Sequence, residues 1–283
     1  MNRKKLHALY SLKWNPFAQE LPSEALSVSK KLDHFFWRME QQVHEGGFAL
    51  ITGSPGSGKS SALHLLAERL SNLREVTVGI LSRPQSKLPD FYREMGEVFG
   101  VNLTPSNRWG GFKALREKWK NHVSTTLLRP ALLIDEAQEM DAAALSELRL
   151  LQSANFDTSS YLTVVLCGDQ RLPERLSKQD LLPIQSRIRV RLELERAERE
   201  EMLEAFENAL ERAGNRQLLS REVMETLVEH CAGNFRSLMI MGGELLQEAM
   251  ARELPKIDEK LYLEVFAAPP SRNKKEALKV KGR

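Results

Sequence analysis

Apolar residues run along this chain in two rhythms. From residue 47 to about 194, short unbroken apolar runs alternate with stretches where apolar positions recur at helical spacing. Such alternation marks a parallel sheet, buried on both faces, whose strands are joined by crossover helices. Residues 48–52, 76–81, 131–135, 162–167 and a shorter 190–194 read as strands; 59–71, 88–98, 109–123, 142–153 and 171–178 read as helices. Past Leu194 the strand pattern stops. Helical spacing continues alone over 196–213, 220–231, 235–252 and 257–267, up to Pro269-Pro270. The pattern predicts a linker with a first helix over 1–46 and an α/β domain over 47–194. An all-α domain over 195–268 and a disordered basic tail over 269–283 follow.

The first strand runs directly into Gly53-Ser54-Pro55-Gly56-Ser57-Gly58-Lys59-Ser60-Ser61, and a helix follows at once. Gly53, Gly56, Gly58, Lys59 and Ser60 fit G-x-x-x-x-G-K-[ST] without a mismatch. The glycines free the backbone to turn successive N–H groups inward around an anionic phosphate chain. The helix beginning near Lys59 aims its positive dipole end at the same point. Lys59 would reach the β- and γ-phosphates of ATP, and the Ser60 hydroxyl would bind Mg²⁺.

A second acidic element follows the strand at 131–135, whose apolar run ends in Asp135-Glu136-Ala137-Gln138. Asp135 would hold Mg²⁺ through a water, and Glu136 would orient and deprotonate the water attacking the γ-phosphate. The plain alternative is that both acids cap the next helix. The strand at 162–167 ends in Gly168-Asp169-Gln170 beside the same loop, because ligands sit at the carboxyl ends of parallel strands. Asp169 or Gln170 could sense the γ-phosphate there, or Asp169 could simply cap a helix. Two arginines come later in the chain, Arg187 before the last strand and Arg236 at the start of a helix. Either could stabilise charge on the transferring phosphoryl group.

Composition narrows the setting. Cys167 and Cys231 are the two cysteines of 283 residues, and they lie in no metal-ligand spacing, which fits a reducing cytoplasm. Arg3-Lys4-Lys5 is followed by no apolar signal segment, and no run approaches the roughly 18 apolar residues of a membrane span. Net charge is +3, with Arg272, Lys274, Lys275, Lys279, Lys281 and Arg283 gathered in the tail against Glu276. Such a tail either holds a nucleic-acid backbone or solubilises the chain end.

The order of these parts resembles that of AAA+ ATPases of the ExeA-type group and of the TniB/TnsC-type transposition ATPases. The likeness covers roughly residues 11–266. It is carried by Trp14-Asn15-Pro16-Phe17, by the loop through Ser60, by 132–138 and by the helix run 148–156. It implies a P-loop AAA+ sheet sandwiched by helices and followed by a helical lid, with Asn15, Pro16 and Phe17 near the adenine. It also implies that Arg187 acts as a finger reaching a neighbouring subunit and Arg236 as sensor 2. The group commonly has Gly-Gln-Pro where this chain has Gly168-Asp169-Gln170, and Phe235 stands where a proline often precedes the second arginine.

ExeA-type secretion proteins continue into a membrane span, whereas this chain ends at 283, so a transposition accessory protein is expected instead. It would form a homo-oligomeric ring or filament on double-stranded DNA and meet a transposase. In the helix at 109–123, Phe112, Leu115, Trp119 and Val123 form a core stripe. Lys113, Arg116 and Lys120 form a second stripe that, with Arg83 and Lys87, could track phosphates, unless it is simply a solvated face. The alternatives are an envelope-assembly ATPase acting through proteins and a scaffold that binds ATP with little turnover.

Overall fold

A computed structural model of the chain describes residues 3–81, 84–102, 107–155 and 158–266. Arg83, Phe156 and the basic tail lie outside the described residues. Among the described residues seven strands are formed: β1 (Gly47–Gly53), β2 (Val76–Leu81), β3 (Arg129–Ile134), β4 (Ser153–Ala154), β5 (Ser159–Ser160), β6 (Thr163–Gly168) and β7 (Ile188–Leu194). The helices of the α/β unit are α2 (Lys30–Glu45), α3 (Lys59–Ser71), α4 (Leu88–Phe99), α5 (Arg108–Asn121), α6 (Ala142–Gln152), α7 (Arg171–Leu176) and α8 (Leu182–Gln185). The helical unit contains α1 (Arg3–Tyr10), α9 (Arg199–Ala213), α10 (Arg221–Cys231), α12 (Glu259–Phe266) and, from Ser237 onward, α11 (Phe235–Ala251).

The five long strands form one parallel sheet in the order β2-β3-β6-β1-β7. This is the P-loop AAA+ fold. Its middle strands are unbroken apolar runs because both faces are covered. Phe48, Leu50, Leu132, Ile134, Val164 and Leu166 point to the side of α4, α5 and α6. Ala49, Ile51, Ala131, Leu133, Val165 and Cys167 point to the other side, onto Phe35, Phe36 and Met39 of α2 and Leu66 and Leu70 of α3. The alternation follows from the two-residue period of a strand. The edge strand β7 differs. It buries Val190 and Leu192 and turns Arg189, Arg191 and Glu193 outward, so charge guards an open sheet edge.

The strands and main helices fall within a few residues of the positions expected from the sequence. The α1 helix, the short α8 and the β4–β5 hairpin carry too little periodicity to be read there. Of the stretch read as a linker over 1–46, residues 3–21 group with the helical unit, and the α/β unit begins at Pro22. The reason is packing. Within the helical unit Tyr10 is buried and its hydroxyl donates to Leu254 O at 2.9 Å, and Lys13 N–H donates to Ala213 O at 2.8 Å. Phe17 meets Phe206 edge-on, with ring centroids 5.8 Å apart. Gly233–Arg236, expected in the helical domain, group with the α/β unit.

Candidate nucleotide site

Strand register sets this site. Thr52 of β1 lies opposite Gly168 of β6, and Ile134 of β3 lies opposite Leu166, so Gly53, Ile134 and Gly168 end their strands at the same edge of the sheet. The expected last strand residue, Asp135, instead begins the turn after β3. That turn directs its carboxylate back toward the loop after β1.

Gly56 and Gly58 both have positive φ, 81° and 92°, which glycine adopts without strain. Gly58 is also the N-cap of α3, and its carbonyl accepts the first intrahelical bond from Ala62 N–H, so the N–H groups of Lys59, Ser60 and Ser61 have no intrahelical acceptor. Lys59 is buried, and its Nζ donates to Gly53 O and Ser54 O at 3.0 Å each. These bonds close the loop around its own lysine. Ser57 Oγ is buried with no hydrogen-bond partner among the described residues. A buried hydroxyl without a partner costs about 1–3 kcal/mol. An anionic oxygen in the loop would satisfy it, so the cradle fits a phosphate chain.

Ser60 Oγ donates to Asp135 Oδ2 at 2.8 Å, and Asp135 Oδ1 accepts from Glu136 N–H at 2.9 Å. Among the described residues no cluster of three or more His, Cys, Asp or Glu could hold a metal ion. A hydroxyl beside one carboxylate is nevertheless the donor set that suits Mg²⁺, which keeps waters and takes its other ligands from substrate phosphates. Glu136 is exposed and holds a left-handed backbone, φ 51° and ψ 37°. For a non-glycine residue that conformation is uncommon, and it swings the side chain out of the strand line. Cys167 is buried directly behind Asp135. Burial first, and the neighbouring Asp135 carboxylate second, push its thiol well above the ordinary range, so it stays protonated. It serves as a small core residue.

Asp169 starts α7. It accepts from Arg171 N–H at 2.9 Å and from Arg171 Nε at 2.8 Å, and Arg171 also reaches Glu139 at 2.8 Å. The bond to Arg171 holds the Asp169 carboxyl below its usual value. Both Asp169 carboxylate oxygens are thus engaged locally by Arg171, the arrangement that a helix-capping role requires. Gln170 is the N-cap residue of α7 and makes no side-chain cap bond.

The two arginines occupy different ends of the α/β unit. Phe235 N–H donates to Gly56 O at 3.0 Å, and a Cβ on Gly56 would lie 2.0 Å from Asn234 Oδ1. The exposed Arg236 therefore follows a segment bonded to the crest of the phosphate loop. Arg187 instead precedes β7, where its carbonyl accepts from Phe48 N–H at 3.4 Å. Phe48 lies five residues before Gly53, roughly 17 Å along the strand. Arg187 cannot reach the loop of its own chain.

Asn15, Pro16 and Phe17 sit in the helical unit. Asn15 Oδ1 accepts from Phe17 N–H at 3.0 Å, and Phe17 packs on Gly242 and Phe206. Of the basic stripe on α5, Lys113 and Lys120 are exposed, Lys113 lying 3.9 Å from Glu117. Lys87, just before α4, is exposed too. Arg116 differs from the expectation of a phosphate contact. Its guanidinium donates to Leu150 O at 2.8 Å and to Ser153 O, and lies over the rings of Phe112 and Tyr161. It caps the carboxyl end of α6, where free carbonyls attract a cation.

Two residues at the site carried no role in the sequence reading. Asn234 presses on Gly56 from far along the chain, so no local spacing could signal it. Gln138 lay inside the Asp135-Glu136-Ala137-Gln138 string, but its partner at Asp169 N–H follows another strand, β6.

Comparison with known proteins bears on the fold. The family model described as "AAA domain" matches residues 41–176. General secretion pathway protein A of Aeromonas hydrophila is 30% identical over 152 residues, which are 53% of this chain and 27% of that protein. The likeness to it is thus weak in extent, and the chain matches about a quarter of that relative's length. Among solved structures, the Aeropyrum pernix ORC2 protein in its ADP form superposes with a TM-score of 0.68 at 15% identity, over 91% of this chain and 72% of that one. A Drosophila ORC structure bound to DNA gives 0.66 at 17% identity, over 94% and 64% respectively. At these identities the likeness establishes the fold. No helix among the described residues is long and apolar enough to cross a membrane.

Proposed function

We propose that this protein hydrolyses ATP between neighbouring copies of itself and assembles on double-stranded DNA as a cytoplasmic accessory factor for transposition, partnered by a transposase. One observation carries the ATPase reading: Lys59, Ser60, Asp135 and Glu136 converge at one end of the sheet, with Ser60 touching Asp135 at 2.8 Å. The loop amides and Lys59 would bind the β- and γ-phosphates. Ser60 and Asp135 would hold Mg²⁺, which when bound neutralises charge across the phosphate oxygens. The Glu136 carboxylate would accept a proton from the water that attacks the γ-phosphorus, so that the Pγ–O bond to ADP breaks as the new P–O bond forms.

The position of Arg187 supports oligomerisation. Too far from its own loop, it would supply transition-state charge stabilisation to a neighbour, and Arg236 would do so beside its own loop. The DNA reading rests on the exposed Lys87, Lys113 and Lys120, on Arg83, and on the family resemblance. It is also in keeping with the fold shared with ORC bound to DNA.

A second reading draws on the 30% identity to a secretion-pathway protein: an assembly ATPase that works through protein partners. ATPase rate and particle size, measured with and without duplex DNA at two salt concentrations, separate the two. Salt-sensitive stimulation by DNA and growth in particle size favour the first. Turnover indifferent to DNA favours the second. Tight ATP binding without phosphate release under any condition rejects both in favour of a scaffold.

A further inference from the structure

Gln138 is 5% exposed and makes two bonds that cross the site. Its Nε2 donates to Glu136 Oε2, and its Oε1 accepts from Asp169 N–H at 3.2 Å. Only one orientation of the amide satisfies both, since a carboxylate can only accept and a peptide N–H can only donate. The backbone of the same residue is held as well, because the Arg175 guanidinium donates to Gln138 O. The flanking residue Glu139 is tied through Arg171 to Asp169. Gly168 completes the arrangement: a Cβ there would lie 2.4 Å from Gln138 Oε1. The end of β6 thus leaves room for this amide and no more.

We infer that Gln138 is a positioning residue for the hydrolytic carboxylate, an amide strut that fixes Glu136 relative to the first peptide after β6. The inference rests on the ATPase reading above. Without the strut, Glu136 would sit on an exposed turn with a left-handed backbone and nothing described to hold its carboxylate. A general base works only when held within reach of the proton it takes. Misplacement by about 1 Å costs on the order of 100-fold in rate. The strut also gives the base a mechanical link to β6, whose end lies opposite Thr52 of the strand that enters the phosphate loop.

Two substitutions separate this role from plain folding. Gln138→Ala removes both bonds. Gln138→Glu keeps an oxygen for Asp169 N–H but sets a second carboxylate against Glu136. If Gln138 merely satisfied the Asp169 peptide, Gln138→Glu would be the milder change. As a positioning residue it makes Gln138→Glu at least as damaging as Gln138→Ala. The measurements are ATP affinity by calorimetry, kcat from phosphate release and Tm for each full-length variant. Expected is a fall in kcat on the order of 10- to 100-fold for both, with ATP Kd within about twofold of the parent. Gly168→Ala, which crowds the amide while leaving Gln138 in the chain, is expected to mimic them and to cost less once Gln138 is already alanine.

Parental kcat in Gln138→Ala, a milder Gln138→Glu, or a loss of ATP affinity matching the loss of rate would each overturn the inference. Absence of turnover in the parent protein, with or without DNA, would sink the ATPase reading itself and this role with it. Parental turnover with unaffected variants sinks the role of Gln138 alone.

Discussion

Ser60 on the first turn of α3 and Asp135 after β3 meet at 2.8 Å although 75 positions separate them in sequence. The contact joins the two groups that suit a shared magnesium ion. Under the proposed reading they share one ion, so their losses should not add. Ser60→Ala and Asp135→Asn are each expected to raise the Mg²⁺ concentration for half-maximal turnover by about 10-fold or more. The double variant should cost clearly less than the product of the two. Magnesium titration of the ATPase rate in all four proteins checks this, and strict additivity would place the residues at independent sites.

Lys59 is expected to be the most damaging single loss for nucleotide binding. Its ammonium holds Gly53 O and Ser54 O now and would also meet the phosphates. Charged hydrogen bonds contribute about 1.5–3 kcal/mol each, so Lys59→Ala should weaken ATP by on the order of 10- to 100-fold and abolish measurable turnover. Equilibrium binding of ATP reads the first and phosphate release the second.

Glu136→Gln should separate binding from chemistry. The amide matches the carboxylate in size but is not a base. ATP affinity should stay within about twofold, and kcat should fall by roughly 100- to 10,000-fold. The variant is then expected to accumulate as an ATP-loaded oligomer, visible by light scattering. Unchanged turnover would remove Glu136 from the mechanism.

Much of this site was legible in the amino-acid sequence, for a physical reason. Buried parallel strands must be apolar throughout, so β1, β3 and β6 stand out, and the groups at their carboxyl ends follow directly. The phosphate loop announces itself because only closely spaced glycines permit its backbone. What could not be read depends on partners far along the chain. Arg116 looked like part of a solvated stripe because its acceptors, Leu150 O and Ser153 O, belong to the end of another helix. Asn234 against Gly56 and Gln138 beneath Asp169 are likewise products of tertiary structure. Phe17, read as near the adenine, has Gly242 and Phe206 as its described neighbours within the helical unit.

Arg187 gives a test that depends on assembly. Arg187→Ala and Glu136→Gln are each expected to be inactive alone, by at least about 100-fold. Mixed before assembly, they should regain activity. A protomer that keeps Glu136 can then sit beside one that keeps Arg187, and that junction holds both groups. Failure of every mixture to exceed either parent would mean that Arg187 does not act across a junction.

The basic residues of α5 should divide by what their charges touch. Lys113→Glu with Lys120→Glu is expected to weaken duplex DNA binding, to lower the salt dependence by about one logarithmic slope unit per contact, and to leave ATP affinity alone. Arg116→Glu should instead lower Tm, because it strips the cap from α6 and sets a carboxylate beside carbonyl oxygens. Equal effects of all three on DNA, with no change in Tm, would return Arg116 to the surface stripe.

Gly242 offers a test of the helical unit by itself. A Cβ at this position would meet Phe17 Cδ1 and Cε1 at 2.6 Å, closer than carbon atoms can approach. Phe17 is buried and pinned by its N–H bond to Asn15 Oδ1 and by its edge contact with Phe206. Gly242→Ala brings two opposing terms. Alanine favours a helix interior by about 1 kcal/mol over glycine, whereas overpacking a fixed ring costs about 1–3 kcal/mol. The ring is held on two sides, so the clash should win and the variant should lose stability by roughly 1–2 kcal/mol. Phe17→Ala removes the obstacle but leaves a cavity, costing about 3–5 kcal/mol. In that background Gly242→Ala should become stabilising, because only the helix term survives. Chemical denaturation of the four proteins reads the reversal, and a Gly242→Ala effect of the same sign in both backgrounds would mean that Phe17 is not what requires the glycine.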